Sequence, residues 1–270
     1  MRICLFSSYT EERITDNVFL YIKELSKHCE KVVFITNHRD INSIDLIRLM
    51  NIWVQLEFVA NWWYDFGMFN SFLLTNKEII NKYDQILLCN DSMLIINKLD
   101  NVFEWINNQT AEYLSLTNSY ADEQAINSYN NAMGRIERWY IPITQSKFQE
   151  SYFLVLSWEA KKLLELPTNR IYSMKEKIVL EYELRWSELA KTNYTTAVMY
   201  EIDDYIAKGV CVRKDVYTDE VCRSWWCTLS YEAAPELVRC WLPLMKRHYL
   251  NEEAYNKTIE FLVSNQYKCL

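Results

Sequence analysis

The chain has 270 residues, of which 50% are apolar and 24% charged, with a net charge of −7 and a pI of about 5.2. This composition excludes a disordered chain, and the acidic balance argues against a nucleic-acid-binding protein, which needs a basic surface. Three glycines, far apart, exclude the glycine-rich phosphate loops. Without an apolar run that could span a bilayer or an evident signal peptide, we expect a cytoplasmic protein with reduced, mostly buried cysteines.

The first 120 residues alternate between short apolar strands and helices. Strands are predicted at residues 3–6, 31–36, 53–59 and 86–89, and a helix at 44–50 lies between two of them. Continuous apolar strands separated by helices are typical of a parallel sheet covered on both faces. The sequence therefore predicts an α/β fold.

The second half of the chain is more varied. Further strands are predicted at 113–117, 138–143, 152–156 and 195–199, with a polar loop between residues 118 and 137. A long helical pattern runs from residue 173 to 191, and the sequence from residue 202 onward also predicts helix. We expect one α/β domain over residues 1–200 and a helical C-terminal extension, 201–270, packed on it.

Polar residues follow the predicted strands at the points where they end. Ligands of open α/β sheets bind outside the carboxyl ends of the strands. Those ends fall at residues 7–9, 37–40, 61–67 and 90–92. A ligand site is predicted there.

Asp91 comes directly after an apolar strand, in the segment LLCNDS. A carboxylate in this position can hold a divalent ion, Mg²⁺ or Mn²⁺, which in turn holds a diphosphate. The alternative is an Asx turn that ends the strand. The sequence leaves both interpretations open.

Asp65 lies among aromatic residues in the segment NWWYDFG. It could hydrogen-bond a ribose or a base, with an aromatic ring stacking nearby. The alternative is the start of a buried helix, where Asp65 caps the first turn.

Two glutamates, Glu181 and Glu183, lie within the long helical pattern, in LEYELRW. Residues two positions apart do not share one face of a straight helix. At most one of them can reach a cleft and act as general base for an attacking hydroxyl group. A solvated helix face is the alternative for both.

Taken in order, several segments resemble the motifs of the rhamnan synthesis protein F family of glycosyltransferases. FSSYT resembles the family's opening strand and loop, NWWYDFG resembles N-x-G-Y-D-F-G, and YDQILLCNDSM resembles Y-D-x-[IL]-[IL]-x-x-N-D-S. Farther on, QSKFQESYFLVLS resembles H-[IL]-Q-S-Y-F-[LM]-V-F, and EYELRWSELAKTNY resembles E-x-x-[LI]-[ST]-x-x-L-x-x-x-G-[FY]. The chain departs from the family at Trp63, which replaces a glycine, at the inserted Glu150, and at Asn193, near a usual glycine.

The resemblance implies a GT-A-like (Rossmann-like) fold and transfer of a sugar from a nucleotide-diphosphate donor, with inversion, to a glycan acceptor. Deoxythymidine-diphosphate rhamnose is the implied default donor, and UDP- and GDP-sugars stay open. Glu183 or Glu181 would be the base, and the family's pattern favours Glu183. Asp91 would lie by the diphosphate, with or without a metal. The predicted nucleotide-sugar-binding residues are Ser7, Ser8, Tyr9, Asn61, Asp65, Gly67, Asn90, Asp91 and Ser92, and the predicted acceptor-side residues are Gln149, Ser151 and Tyr152.

Two other functions are compatible with the sequence. The substitutions at Trp63 and Asn193 leave room for a catalytically silent scaffold that binds a nucleotide sugar or a glycan. A nucleotidyltransferase on a similar sheet is a weaker alternative, because its glycine-rich, basic phosphate loop is missing. No transmembrane segment is predicted, and peripheral association with a membrane stays open.

Overall fold

The structure of the chain, a computed structural model, describes residues 1–9, 13–59, 64–120, 123–136, 142–145, 147–165, 183–207 and 244–246. Its strands are β1 Arg2–Ser8, β2 Lys31–Thr36, β3 Gln55–Phe58, β4 Gln85–Asn90, β5 Met93–Ile95, β6 Tyr113–Tyr120, β7 Lys147–Gln149, β8 Phe153–Ser157, β9 Thr196–Tyr200 and β10 Leu244–Lys246. Its helices are α1 Asp16–Leu25, α2 Ser43–Asn51, α3 Tyr64–Thr75, α4 Glu78–Lys82, α5 Asp100–Asn107, α6 Glu123–Ile136, a 3₁₀ helix Trp158–Glu165, α7 Arg185–Asn193 and α8 Ile202–Ala207.

Eight of these strands form one mixed, mostly parallel sheet. The strand order is β3-β2-β1-β4-β8-β6-β7, and β9 also pairs with β6. Strands β1 to β4 run parallel to one another, whereas β8 is antiparallel to both β4 and β6. The predicted α/β fold class, a mostly parallel sheet flanked by helices, is confirmed.

The sheet separates two apolar layers because neighbouring strand residues point to opposite faces. Cys4 and Phe6 of β1 face the layer that contains α1 and α5, while Ile3 and Leu5 face the layer that contains α3, the 3₁₀ helix and α7. Burial on both faces explains why β1, β2 and β4 are continuous apolar runs. The cysteines of this core, Cys4, Cys29 and Cys89, are free and buried.

The structure corrects the prediction of a polar loop over residues 118–137. Most of this segment is helix α6, in which Ile126, Tyr129 and Met133 are buried. These three residues recur at helical spacing, but the polar residues between them obscure the pattern. The predicted strand over 138–143 is also wrong where the structure describes it, since residues 142 and 143 are not in a strand.

The predicted helical extension lies mostly outside the described residues. Helix α8 agrees with the prediction, but Leu244–Lys246 is a strand that pairs antiparallel with β5. The cause is tertiary pairing, which decides the conformation of so short a segment more than its local sequence does. Among the described helices, none has the length and apolar character needed to cross a bilayer.

Candidate functional site

The carboxyl ends of β1 and β4 lie side by side, because the two strands are parallel neighbours. Ser7 pairs in register with Asn90, and the amide of Asp91 donates to the carbonyl of Ser7 at 3.1 Å. The two predicted segments 7–9 and 90–92 are therefore brought together at one edge of the sheet, where α/β folds bind their ligands.

Asp91 is held by the loop that follows β1. One carboxylate oxygen, Oδ2, accepts hydrogen bonds from the Ser8 hydroxyl at 2.7 Å and from the Tyr9 amide at 2.8 Å. The Asx turn at this strand end is made by Asn90 instead, whose Oδ1 accepts from the Ser92 amide at 3.2 Å. Asp91 thus does not make that turn, and its carboxylate is fixed against the β1 loop.

Asp65 lies in the first turn of α3 and reaches both strand ends. Its Oδ1 accepts from the Ser7 hydroxyl and its Oδ2 from the Asn90 side-chain amide, each at 2.8 Å. Desolvation raises the pKa of Asp65 to about 7, and the negative charges of Asp91 and Glu183 add to this effect. Near neutral pH this carboxyl group can therefore hold or release a proton.

Glu183, just before α7, lies close enough for its charge to act on the same site. Its Oε1 accepts a hydrogen bond from the Ser151 hydroxyl at 2.8 Å, and its charge acts on Asp65. The approach is explained by packing: Phe66, next to Asp65, meets Trp186 edge-on with 5.1 Å between ring centroids. The packing of α3 against α7 thus brings Asp65, in α3, and Glu183, two residues before α7, into one region.

Two tyrosines lie beside this cluster of acidic residues. The rings of Tyr9 and Tyr64 are 6.0 Å apart and tilted by 50°. Tyr64 is 44% exposed, and its φ of 54° lies in the left-handed region that side chains other than glycine rarely adopt. Strained, exposed residues of this kind cluster at ligand sites. Tyr64 is not among the site residues predicted from the sequence, although its position next to Asp65 in the segment NWWYDFG indicates it.

The remaining predicted residues are distributed more widely. Tyr152 and Gln149 are buried: the Tyr152 hydroxyl bonds to that of Thr117, and the Gln149 amide donates to the Ala197 carbonyl. Of the three predicted acceptor-side residues, Ser151 is the one that contacts Glu183. Gly67 is buried within α3. Asn61 and Glu181 lie outside the described residues.

A divalent cation fits this site only in part. In the part of the chain that the structure describes, no three His, Cys, Asp or Glu side chains are grouped so as to hold a metal. Mg²⁺, however, commonly uses one or two carboxylates together with substrate phosphates. Asp91 is suited to that role because its carboxylate is fixed at the strand end.

No family model matches the chain, and no curated protein does. Solved structures with a similar fold include a glucose-1-phosphate thymidylyltransferase from Bacillus anthracis with sucrose (11% identity, 74% of this chain and 86% of that chain, TM-score 0.44). HddC from Yersinia pseudotuberculosis matches at 9% identity (74% and 89%, TM-score 0.39). A glucosyl-3-phosphoglycerate synthase from Mycobacterium tuberculosis, with Mn²⁺, UDP-glucose and phosphoglyceric acid, matches at 9% (73% and 68%, TM-score 0.39). At such low sequence identity and TM-score, these similarities concern the fold alone and give no information about the activity of this chain.

Proposed function

We propose that the chain is a glycosyltransferase that uses a nucleotide-diphosphate sugar, with rhamnose as the default sugar and a glycan as acceptor. The observation that carries this proposal is the meeting of Asp91, Asp65 and the Ser7–Tyr9 loop at the carboxyl ends of β1 and β4, with Glu183 nearby. The resemblance of FSSYT, NWWYDFG and LLCNDS to one glycosyltransferase family supports the same proposal, because these segments supply that cluster.

On the donor side, the nucleoside would lie against Asp65 and the β1 loop, with the Tyr64 ring as a stacking surface. The donor diphosphate would lie near Asp91. Because three carboxylates already place negative charge there, a bound diphosphate needs a counter-charge. A Mg²⁺ or Mn²⁺ ion held by Asp91 would supply it by neutralising the leaving diphosphate.

On the acceptor side, Glu183 would take the proton of the attacking hydroxyl group. The Ser151 hydroxyl donates to its carboxylate, which keeps Glu183 oriented. Attack from the face opposite the diphosphate inverts the anomeric carbon, and the transition state has oxocarbenium character. Such a transfer needs a base and a neutralised leaving group but no covalent nucleophile.

The proposal is tested first by measuring nucleotide binding and then by measuring turnover of the sugar nucleotide. The purified chain would be heated with dTDP, UDP or GDP and with the corresponding sugar nucleotides, with and without Mn²⁺. We expect one nucleotide class to stabilise the protein, by about 2.7 kcal/mol at 100 times its dissociation constant, and its sugar nucleotide to be consumed. Binding without turnover for any acceptor would favour the silent scaffold, and no binding by any nucleotide would reject the proposal.

A further inference from the structure

A polar recess of about 390 Å³ lies at the amino-terminal edge of the sheet, opposite the edge that carries Asp91. Its volume is within the range of roughly 300–1,000 Å³ found for small-molecule sites. The strand starts at Arg2 and Gln85 form its floor together with the end of β8, because Gln85 pairs with Ser157 in the antiparallel register. The recess is therefore separate from the candidate active site.

The floor of the recess is an ordered chain of hydrogen bonds. Arg2 donates from Nε to the Gln85 side-chain oxygen at 2.8 Å and from Nη2 to that of Asn107 at 3.0 Å. Gln85 in turn donates to the Ser157 hydroxyl at 3.2 Å. Gln109 also lines the recess. Side chains fixed in this way are preorganised, so that a ligand would lose little affinity in ordering them.

The lining carries little net charge. Asp84 pairs with the amino group of Met1, Arg2 is held by the side-chain oxygens of Gln85 and Asn107, and the other polar groups are an amide, a hydroxyl and an imidazole. Burial lowers the pKa of His28, which keeps this imidazole neutral at neutral pH. A ligand with a large net charge or a purely apolar surface matches this lining poorly, whereas one with many neutral hydroxyl groups matches it well.

Trp158 forms one wall of the recess and is unusually placed. Its side chain is 59% exposed although it is large and apolar, and its backbone φ is 42°. Strain of this kind persists where the surrounding structure imposes it and is concentrated at ligand clamps. The exposed indole offers a flat apolar surface, and the amides beside it offer hydrogen-bond donors and acceptors. These two kinds of contact match the apolar face and the hydroxyl groups of a sugar ring.

We propose that this recess binds a neutral carbohydrate, with the sugar ring against Trp158 and its hydroxyl groups on Gln85, Asn107 and Gln109. The site is independent of the proposed transfer reaction, because it lies at the opposite edge of the sheet. Its chemistry fits a segment of glycan held away from the active site.

The test uses the full chain and saturation-transfer NMR with two probes, methyl α-L-rhamnopyranoside and methyl α-D-glucopyranoside. We expect at least one of them to bind, and Trp158→Ala to weaken its binding roughly tenfold. Gln109→Ala should weaken binding in the same direction. Trp53→Ala is the matched control, because Trp53 is 93% exposed, has a positive φ of 57° and does not line the recess. It should leave binding unchanged.

Three results would overturn the proposal: no signal from either glycoside, an unchanged signal in Trp158→Ala, or an equal loss in Trp53→Ala. Stronger binding of glucose 1-phosphate than of the glycosides would also overturn it, since the lining is inferred to select a neutral ligand. Nucleotide binding, measured on the same variants, should not change. The failure of this proposal can therefore be distinguished from the failure of the proposed transferase function.

Discussion

Asp65 and Asp91 are both hydrogen-bonded to Ser7, although Asp65 lies in α3 and Asp91 follows β4. The Ser7 hydroxyl donates to Asp65, and the Ser7 carbonyl accepts the amide of Asp91. The end of β1 thus holds two carboxylates close enough for the charge of Asp91 to raise the pKa of Asp65. This coupling makes the site sensitive to pH, metal and substitution.

The first prediction concerns the pH dependence of stability. The pKa of Asp65 is about 7 in the folded protein, whereas the ordinary value, which applies to the unfolded chain, is 3.8. Between these two pH values the folded protein therefore keeps a proton that the unfolded chain has lost. The free energy of unfolding should therefore fall as pH rises through this window and level off above it. Asp65→Asn removes the effect, and the variant should gain stability relative to wild type as pH rises, by at most about 1.4 kcal/mol per pH unit.

Urea denaturation of both proteins at several pH values between about 4 and 8 measures this difference. Asp40→Asn is the control, because Asp40 is an exposed aspartate in the loop after β2. The difference between Asp40→Asn and wild type should stay constant with pH. A constant difference for Asp65→Asn as well would contradict the raised pKa.

Much of the geometry of the candidate site was predictable from sequence, because strand ends of a parallel sheet are brought together by the fold itself. Ser7 and Ser8 end β1 and Asp91 follows β4, both strands are recognisable as apolar runs, and the meeting of these residues follows from the pairing of the two strands. The nearness of Glu183 to Asp65 was not predictable, since it depends on the packing of Phe66 against Trp186, 120 residues later. Helix α6 was missed because its apolar stripe is narrow.

The second prediction isolates the carboxylate of Asp91. In Asp91→Asn the amide oxygen can still accept the hydrogen bonds of Ser8 and Tyr9, so the thermal midpoint should change little. The negative charge is lost, and turnover should fall by about 10²–10³-fold, as when one electrostatic group is removed from other active sites. This fall in turnover can be measured as the steady-state rate of nucleoside diphosphate release. Turnover close to that of wild type would remove Asp91 from the mechanism.

The third prediction concerns the metal. Because the carboxylates of Asp65, Asp91 and Glu183 oppose an anionic donor, stabilisation by a nucleoside diphosphate should require Mn²⁺ or Mg²⁺ and disappear with EDTA. The metal alone should stabilise the chain only weakly, since the described residues form no complete metal cage. Thermal shifts measured with the metal alone, with the nucleotide alone and with both together would distinguish these cases. Equal stabilisation by the nucleotide in EDTA would mean that protein groups alone neutralise the diphosphate.

The last prediction assigns the base. Glu183→Gln keeps the shape of the side chain and its hydrogen bond with Ser151, but the amide cannot take a proton. Transfer to the acceptor should be lost while the dissociation constant of the donor stays within about twofold of wild type. Ser151→Ala should lower the transfer rate less, because it removes the group that orients Glu183 and not the base itself.

Glu181→Gln is the matched control for Glu183→Gln, because it removes the carboxylate two positions earlier in the same segment, which the family resemblance leaves open as the base. The Glu181 variant should keep most of its transfer activity. The reverse pattern would move the role of base to Glu181, and full activity in both variants would mean that this segment supplies no base. Loss of donor binding together with transfer in Glu183→Gln would instead point to a role in holding the donor, through the charge that Glu183 places on Asp65.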